Sequence, residues 1–265
     1  MIIDVHAHYD DEAFSEDLGD CLKRSKEAGV KSIINAATNY ETSLRSLEIA
    51  KKYEDFYCVL GIHPEYAETY TPETIDKIKE LIKNEHKAVG VGETGLDYYW
   101  LPKDNLDEVL RLKALQKVNF IEHIKLSENL CLPLVVHDRE AHQDTLNVLK
   151  ENISGKVENV LHCYSGSAEM VRDFTELNMS FSVGGVITFK NAVRLAEALK
   201  AMPRERILIE TDSPYLTPVP YRGKRNDSSY TVYTARRMAE ILEVSYDYIC
   251  RLTTENALRI FGRLH

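Results

Sequence analysis

No stretch of this chain approaches the roughly 18 consecutive apolar residues that a membrane-crossing helix requires, which excludes helical membrane spans from the reading. The amino terminus also lacks a basic segment followed by a cleavable apolar stretch, and the expectation is a cytoplasmic protein. Cysteine is scarce. Cys21, Cys58, Cys131, Cys163 and Cys250 are odd in number and form no CxxC pair, which argues against a disulfide framework and against a structural zinc knuckle. They read as free thiols. Linkers, low-complexity tracts and repeats of solenoid period are missing too, so residues 1–265 read as one domain. The chain has no excess of positive charge: its formal net charge of -9 repels polyanions on average. Net charge describes the whole surface, however, and a local site can hold the opposite field.

What is present is an ordinary globular composition, 44% hydrophobic and 28% charged, sufficient for a sizeable core. One pattern recurs along it. Short β-branched or apolar runs alternate with longer stretches of helical periodicity, the signature of βα units around a parallel sheet. Eight strands are predicted, at 2–5, 32–36, 57–62, 88–93, 134–137, 160–162, 180–184 and 207–210. Eight helix-bearing segments accompany them, from "EDLGDCLKRSKEAG" to "SYTVYTARRMAEILEVS". This count suits an α/β fold of the closed (β/α)8 TIM-barrel type better than a doubly wound open sheet, which stands as the alternative.

Five of the nine histidines, His6, His8, His63, His137 and His162, fall at the carboxyl ends of predicted strands, where barrels of this kind build their sites. The other four serve as a comparison: His123 and His142 lie in helical patterns, His86 precedes the fourth strand at the opposite face, and His265 is the last residue. Two carboxylates, Glu93 and Asp212, stand at the same level as the five. A lone strand-end histidine is more often a hydrogen-bonded structural residue than a ligand, but five with two acids are hard to reach by chance. Because strand side chains alternate, His6 and His8 point to the same side and can grip one metal ion together. Glu93, His137, His162 and Asp212 can join them from neighbouring strand ends. Six ligands are too many for one tetrahedral zinc but suit two ions about 3.5 to 4 Å apart with a bridging carboxylate, for which Glu93 is the natural choice. An all-nitrogen and oxygen set leaves Mg²⁺, Mn²⁺ and Zn²⁺ open. By the same alternation Cys163 should face away from His162, into the helix layer.

The segments "IIDVHAHYD", "GIHPEYA", "VGETGLDYYW", "PLVVHDREA", "VLHCYSG" and "ILIETDSPYLTP", in this order and spacing, resemble the TatD family of metal-dependent deoxyribonucleases within the amidohydrolase superfamily. The resemblance runs from Ile2 to the closing "TTENALRIFG". It implies His6, His8, Glu93 and Asp212 around one metal ion, Glu93, His137 and His162 around a second, and cleavage of DNA phosphodiester bonds from the 3′ end, with single strands preferred. The chain departs from the family pattern at Val5, at Glu65 where many relatives carry a second loop histidine, and after Asn226.

The chemistry this implies places Asp212 as the group that orients the attacking water and takes its proton, since a ligating aspartate keeps a spare oxygen. Glu93 bridges. His63, outside the ligand set, is the candidate for holding the phosphate or protonating the leaving oxygen. For the rest of a DNA strand the sequence offers Tyr98, Tyr99 and Trp100 in "LDYYWLPKD" as stacking faces. Arg222, Lys224 and Arg225 in "PYRGKRND" form a local basic cluster, and Arg139, two residues past His137, is the stronger phosphate candidate. Arg139 could instead pair with Glu140 or Asp144 on the surface. The expected state is a monomer. Two competitors are a hydrolase of a small ester, lactone or cyclic amide, which the same metal centre would serve, and a non-enzymatic binding protein that kept the barrel.

Overall fold

In the computed structural model, which describes residues 1–264 and leaves His265 outside the described residues, all eight expected strands are present. They are β1 (Ile2–Ala7), β2 (Val30–Ala36), β3 (Phe56–Leu60), β4 (Ala88–Asp97), β5 (Leu134–Arg139), β6 (Asn159–Leu161), β7 (Met179–Val183) and β8 (Ile207–Ile209). Each pairs in parallel with its predecessor. The seam between last and first is closed by His8 N–H donating to the Ser213 carbonyl (2.7 Å) and Asp212 N–H donating to the His6 carbonyl (2.9 Å). The expected (β/α)8 barrel is the observed one. No helix among the described residues is long and apolar enough to cross a membrane.

Helices α1 (Leu18–Glu27), α2 (Tyr40–Lys52), α3 (Pro72–Asn84), α4 (Leu106–Leu130), α5 (His142–Asn152), α6 (Ala168–Glu176), α7 (Val193–Ala201) and α8 (Thr231–Leu242) cover the outside. Their starts are written locally. Asn39 and Thr42 form a capping box on α2, Thr71 caps α3 ahead of Pro72, and Asn105 accepts from Glu108 N–H on α4. Once started, a helix such as α3 buries a spaced stripe, Ile75, Ile78 and Ile82, against the sheet.

Two apolar cores result. The outer one lies between strands and helices; the inner one fills the barrel with Ile3, Val5, Ile34, Tyr57, Val59, Val89, Val135, Val160 and Leu208. A ninth helix, α9 (Tyr246–Ile260), was not among the expected segments. It closes the inner core from one end through Ala257, Ile260 and the following Phe261 and Leu264. Its apolar spacing is interrupted by buried Thr253 and Asn256, which masks the period in the sequence.

Strand ends differ from expectation where the site is built. β4 runs four residues past Glu93, whereas β6 and β8 stop one residue before His162 and Glu210. Register also slips. Between Asp4 and Ala7 β1 carries one residue more than β2 opposite it, and between Val91 and Thr94 β4 carries one more than β5. The slip in β1 is needed: Ile3 and Val5 belong to the inner core, so strict alternation would turn His6 outward. At β4, Gly95 has φ +141°, and a Cβ there would lie 2.0 Å from the His137 carbonyl oxygen. Only glycine lets the two ligand strands approach this closely.

His123, set aside as a helix residue, anchors β3 to α4. Its Nε2 accepts from Ile62 N–H (3.0 Å), so the proton sits on Nδ1 and is donated to the Asn119 carbonyl (2.8 Å), while Asn119 Nδ2 donates to the Ile62 carbonyl (2.7 Å). This fixes the backbone immediately before His63. Burial pushes the His123 imidazole down to about 4, so it stays neutral in the folded chain while the unfolded chain takes up a proton below the ordinary value of 6.5. Stability held above that value is therefore lost as pH falls, by about 2 kcal/mol at pH 5 from this residue. His123→Gln keeps an acceptor for Ile62 N–H and removes the titration. Urea unfolding at pH 7 and pH 5 should show a smaller acid loss in the variant, and identical losses would refute this assignment.

Candidate metal centre

The irregular β1 presents His6 and His8 to the barrel mouth, and Glu93, 2% exposed, rises between them and the histidines of the opposite wall. The two oxygens of Glu93 face different partners. Oε2 lies 3.2 Å from His6 Nε2 and 3.6 Å from His8 Nε2, whereas Oε1 lies 2.8 Å from His137 Nδ1 and 2.9 Å from His162 Nε2. Asp212 completes the first lobe with Oδ1 3.2 Å from His8 Nε2. The Nε2 atoms of His6 and His8 stand 3.2 Å apart, and His137 Nδ1 is 3.1 Å from His162 Nε2. Metal–ligand bonds of about 2.0 to 2.2 Å give edges between ligand atoms of about 3 to 3.5 Å, so these spacings fit donors gathered around a cation. The nitrogens are also presented correctly. His8 Nδ1 donates to the Ala36 carbonyl at 2.8 Å, which leaves the Nε2 lone pair free for a metal.

Charge in this cluster is shared between rings and acids. Burial pushes the Glu93 carboxyl up, but His162, His6 and His63 beside it, and the hydrogen bond with His137, hold it well below the ordinary range. Asp212 is likewise held below its ordinary value against its burial, by the His8 hydrogen bond and the nearby His162, His8 and His6 rings. Burial lowers His8, yet Asp212 and Glu93 bring it up to about 9; for His162 the same opposition ends well above the usual value, through Glu93 and Glu210. His6 is shifted down, by burial first and then by the His162 ring stacked on it at 3.8 Å. Protons and a metal compete for the same lone pairs, so binding an ion expels protons.

Behind the ligand-type residues stands a layer that sequence reading missed. Asp97 Oδ2 lies 3.1 Å from His137 Nε2, and Glu210 Oε1 lies 3.5 Å from His162 Nδ1. The first is the hydrogen-bonded carboxylate–histidine pair that orients a metal-binding ring, and the second sets a carboxylate at ion-pair distance behind the ring. Both were in view, in "ETGLD" and "ILIETDSP", without a histidine spacing to single them out. Glu210 is held in turn by the Ser182 hydroxyl. Asp4 accepts from Thr211 Oγ1 (2.6 Å), Ser228 Oγ (2.5 Å) and His6 N–H (3.4 Å), tying β1 to the far side of the seam. His63 also joins the cluster, its Nε2 3.5 Å from Glu93 Oε1 and its ring edge-on to His137 at 4.4 Å.

The family model of TatD-related DNases matches residues 3–262. The chain belongs to the TatD family. YabD of Bacillus subtilis, named a metal-dependent hydrolase, is 40% identical over 263 residues, 98% of this chain and 99% of its own. YcfH of Escherichia coli, also named a metal-dependent hydrolase, is 33% identical over 264 residues, 98% of this chain and 96% of its own. The crystal structure of YjjV, a TatD homologue from Escherichia coli, matches with a TM-score of 0.89 at 28% identity, covering 98% of each chain. Like its TatD relatives, this chain is a metal-dependent hydrolase whose His, Glu and Asp clusters can hold metal ions.

Around the TatD-type centre the expected contact residues separate. Tyr99 and Trp100 are exposed, and the Arg139 guanidinium sits 3.9 Å above the Tyr99 ring and 5.5 Å from that of Trp100. Arg139 does not take the surface pairing with Asp144, which holds Lys117 (2.9 Å) and the Tyr98 hydroxyl (2.6 Å) instead. Tyr98 is half-buried under Lys113 and forms the wall of a cavity of about 290 Å³, not an open stacking face. Arg225 is a correction: it packs over Phe14 and pairs with Asp17 at 2.6 Å, which takes it out of the mouth. Arg222 and Lys224 remain exposed, with no carboxylate within ion-pair distance among the described residues. Cys163 is a second correction. With β6 ended at Leu161, Cys163 takes a positive φ of 45° and its N–H donates to Ser182 Oγ (3.2 Å), and burial, then the nearby Glu210, Asp212 and Glu93 carboxylates, push its thiol well above the ordinary range, which sets it toward the site and not in the helix layer.

Divalent metal added to chelator-stripped protein should raise Tm and release protons into a weakly buffered solution. Glu93→Ala touches both lobes and should lose most of the rise; a full rise in that variant would remove Glu93 from the centre.

Proposed function

We propose that the protein is a deoxyribonuclease that holds two divalent ions, one at His6, His8, Glu93 and Asp212 and one at Glu93, His137 and His162, and releases nucleotides from the 3′ end of single-stranded DNA. The observation that carries this reading is the division of donor atoms about Glu93, each oxygen facing its own histidines, in a chain that belongs to a family described as TatD-related DNases. Mg²⁺, Mn²⁺ and Zn²⁺ all suit the donor set. The ions, when bound, supply the positive charge that acidifies water and screens the phosphoryl oxygens.

The chain's own groups do the rest. Asp212 engages His8 through Oδ1, leaving Oδ2 to orient the attacking water and accept its proton. His63 Nδ1 accepts from Glu65 N–H (3.2 Å), so its proton sits on Nε2, facing the centre. Burial lowers this imidazole to about 3, which makes it a neutral hydrogen-bond donor to a phosphoryl oxygen and not a proton source for the leaving group. Arg139, mounted on Tyr99, offers two parallel donors to the adjoining phosphate. Arg222 and Lys224 add charge from the β8 side, where a strand's backbone needs it. Tyr99 and Trp100 give unpaired bases exposed aromatic faces, which supports the single-strand preference. The reading carries with it a monomer acting in the cytoplasm.

With chelator-stripped protein re-supplied with Mg²⁺ or Mn²⁺, 5′-labelled single-stranded DNA should give a ladder shortening from the 3′ end, absent in Glu93→Ala. No cleavage with any of these ions, from protein shown to bind two, transfers the function to a small ester, lactone or cyclic amide. Arg139→Ala should raise KM for the oligonucleotide about tenfold with kcat within about twofold of the parent, the loss of one charged hydrogen-bonding contact. An unchanged KM would place Arg139 outside the substrate path.

A further inference from the structure

Tyr215 follows Asp212 by three residues and was given no role by the sequence. Its backbone is pinned on both sides: the N–H donates to the Asp212 carbonyl (2.8 Å) and the carbonyl accepts from Asn226 Nδ2 (2.7 Å). Asn226 is itself buried and also holds the Thr211 carbonyl (3.0 Å). At the far end of the side chain, the hydroxyl donates to Asp11 Oδ2 (3.1 Å) in the segment after β1. A residue held at its backbone and at its hydroxyl would be expected to be buried, yet Tyr215 is 54% exposed. It stands beside the centre, its centroid 6.3 Å from that of His8. A rigid aromatic face is thus held in water next to a metal-binding histidine.

Its place in the ring of strands gives it a direction. β8 and β1 lie across the barrel from β4 and β5, whose ends carry Tyr99, Trp100 and Arg139. A strand entering over Arg139 with its scissile phosphate at Glu93 therefore meets Tyr215 beyond that phosphate. We propose that Tyr215 is the stacking platform for the base of the 3′-terminal nucleotide, the one that is released. This rests on the deoxyribonuclease reading above. Stacking is tolerant of base identity, because every base has a π-face, so the platform grips any terminal nucleotide. A paired terminal base reaches it only by leaving its duplex.

The test compares two 5′-labelled oligonucleotides that differ only in the 3′-terminal residue, a thymidine or an abasic tetrahydrofuran analogue, by KM and kcat for release of that residue. For the parent protein the thymidine end should have a KM about 5- to 150-fold below the abasic end, the range that one stacked base contributes. Tyr215→Ala should bring the thymidine KM up to the abasic value and leave the abasic KM and both kcat values unchanged. Tyr215→Phe, which loses the Asp11 bond and keeps the ring, should retain most of the discrimination at an unaltered Tm. Equal damage to both substrates in Tyr215→Ala, or a parent KM that ignores the terminal base, overturns the platform and leaves the nuclease reading intact. Absence of any metal-dependent cleavage by the parent overturns that reading and the platform with it.

Discussion

A single buried carboxylate between five imidazoles governs the architecture of the mouth. Glu93 is almost wholly withdrawn from water, and an isolated buried carboxylate is strongly disfavoured unless positive charge or hydrogen bonds replace its hydration. The structure supplies the replacement from separate strands: His6 at one oxygen, His137 and His162 at the other. No local segment can do this. It takes a closed barrel, in which β1, β5 and the end of β6 converge on the same axial level as β4. The fold and the site are therefore one requirement seen at two scales.

Convergence alone would leave the rings free to turn. Two are instead held from behind, His8 by the Ala36 carbonyl and His137 by Asp97, and Glu210 stands 3.5 Å behind His162. The supports are secured too, Asp97 through its backbone N–H to Gln116 on α4 (3.0 Å) and Glu210 through Ser182 on β7. Orientation is fixed before any ion arrives, which removes the entropy that floppy ligands would lose on binding.

The alternation of short apolar runs and helical stretches was enough to read the barrel, because each βα unit is a local pattern repeated eight times. The same rule placed His6 and His8 on one side, and they are on one side. It did not reveal that they face inward only through the slip in β1, since a bulge leaves no composition mark. Cys163 shows the same limit from the other direction: alternation fails two residues past a strand end. Asp97 and Glu210 stood in quoted motifs, but their part depends on which ring lies behind which strand, a tertiary fact. Arg225 looked like Arg222 in sequence and differs by what lies next to it, Asp17 on the segment leading into α1. Tyr215 carries no signal at all until its exposure and its neighbours are known.

The seam between β8 and β1 has a consequence for how the protein is made. His6 and His8 leave the ribosome more than two hundred residues ahead of their backbone partners, Asp212 and Ser213. The floor of the inner core waits longer still, for Ile260 and Phe261 after α8. Contacts this distant along the chain form late and slow folding, because the intervening loop entropy is lost before they reward it. A nascent chain made only as far as β7 thus holds most of the donors but no assembled centre, and a hydrolase built on this seam is silent until the segment after β8 has joined β1.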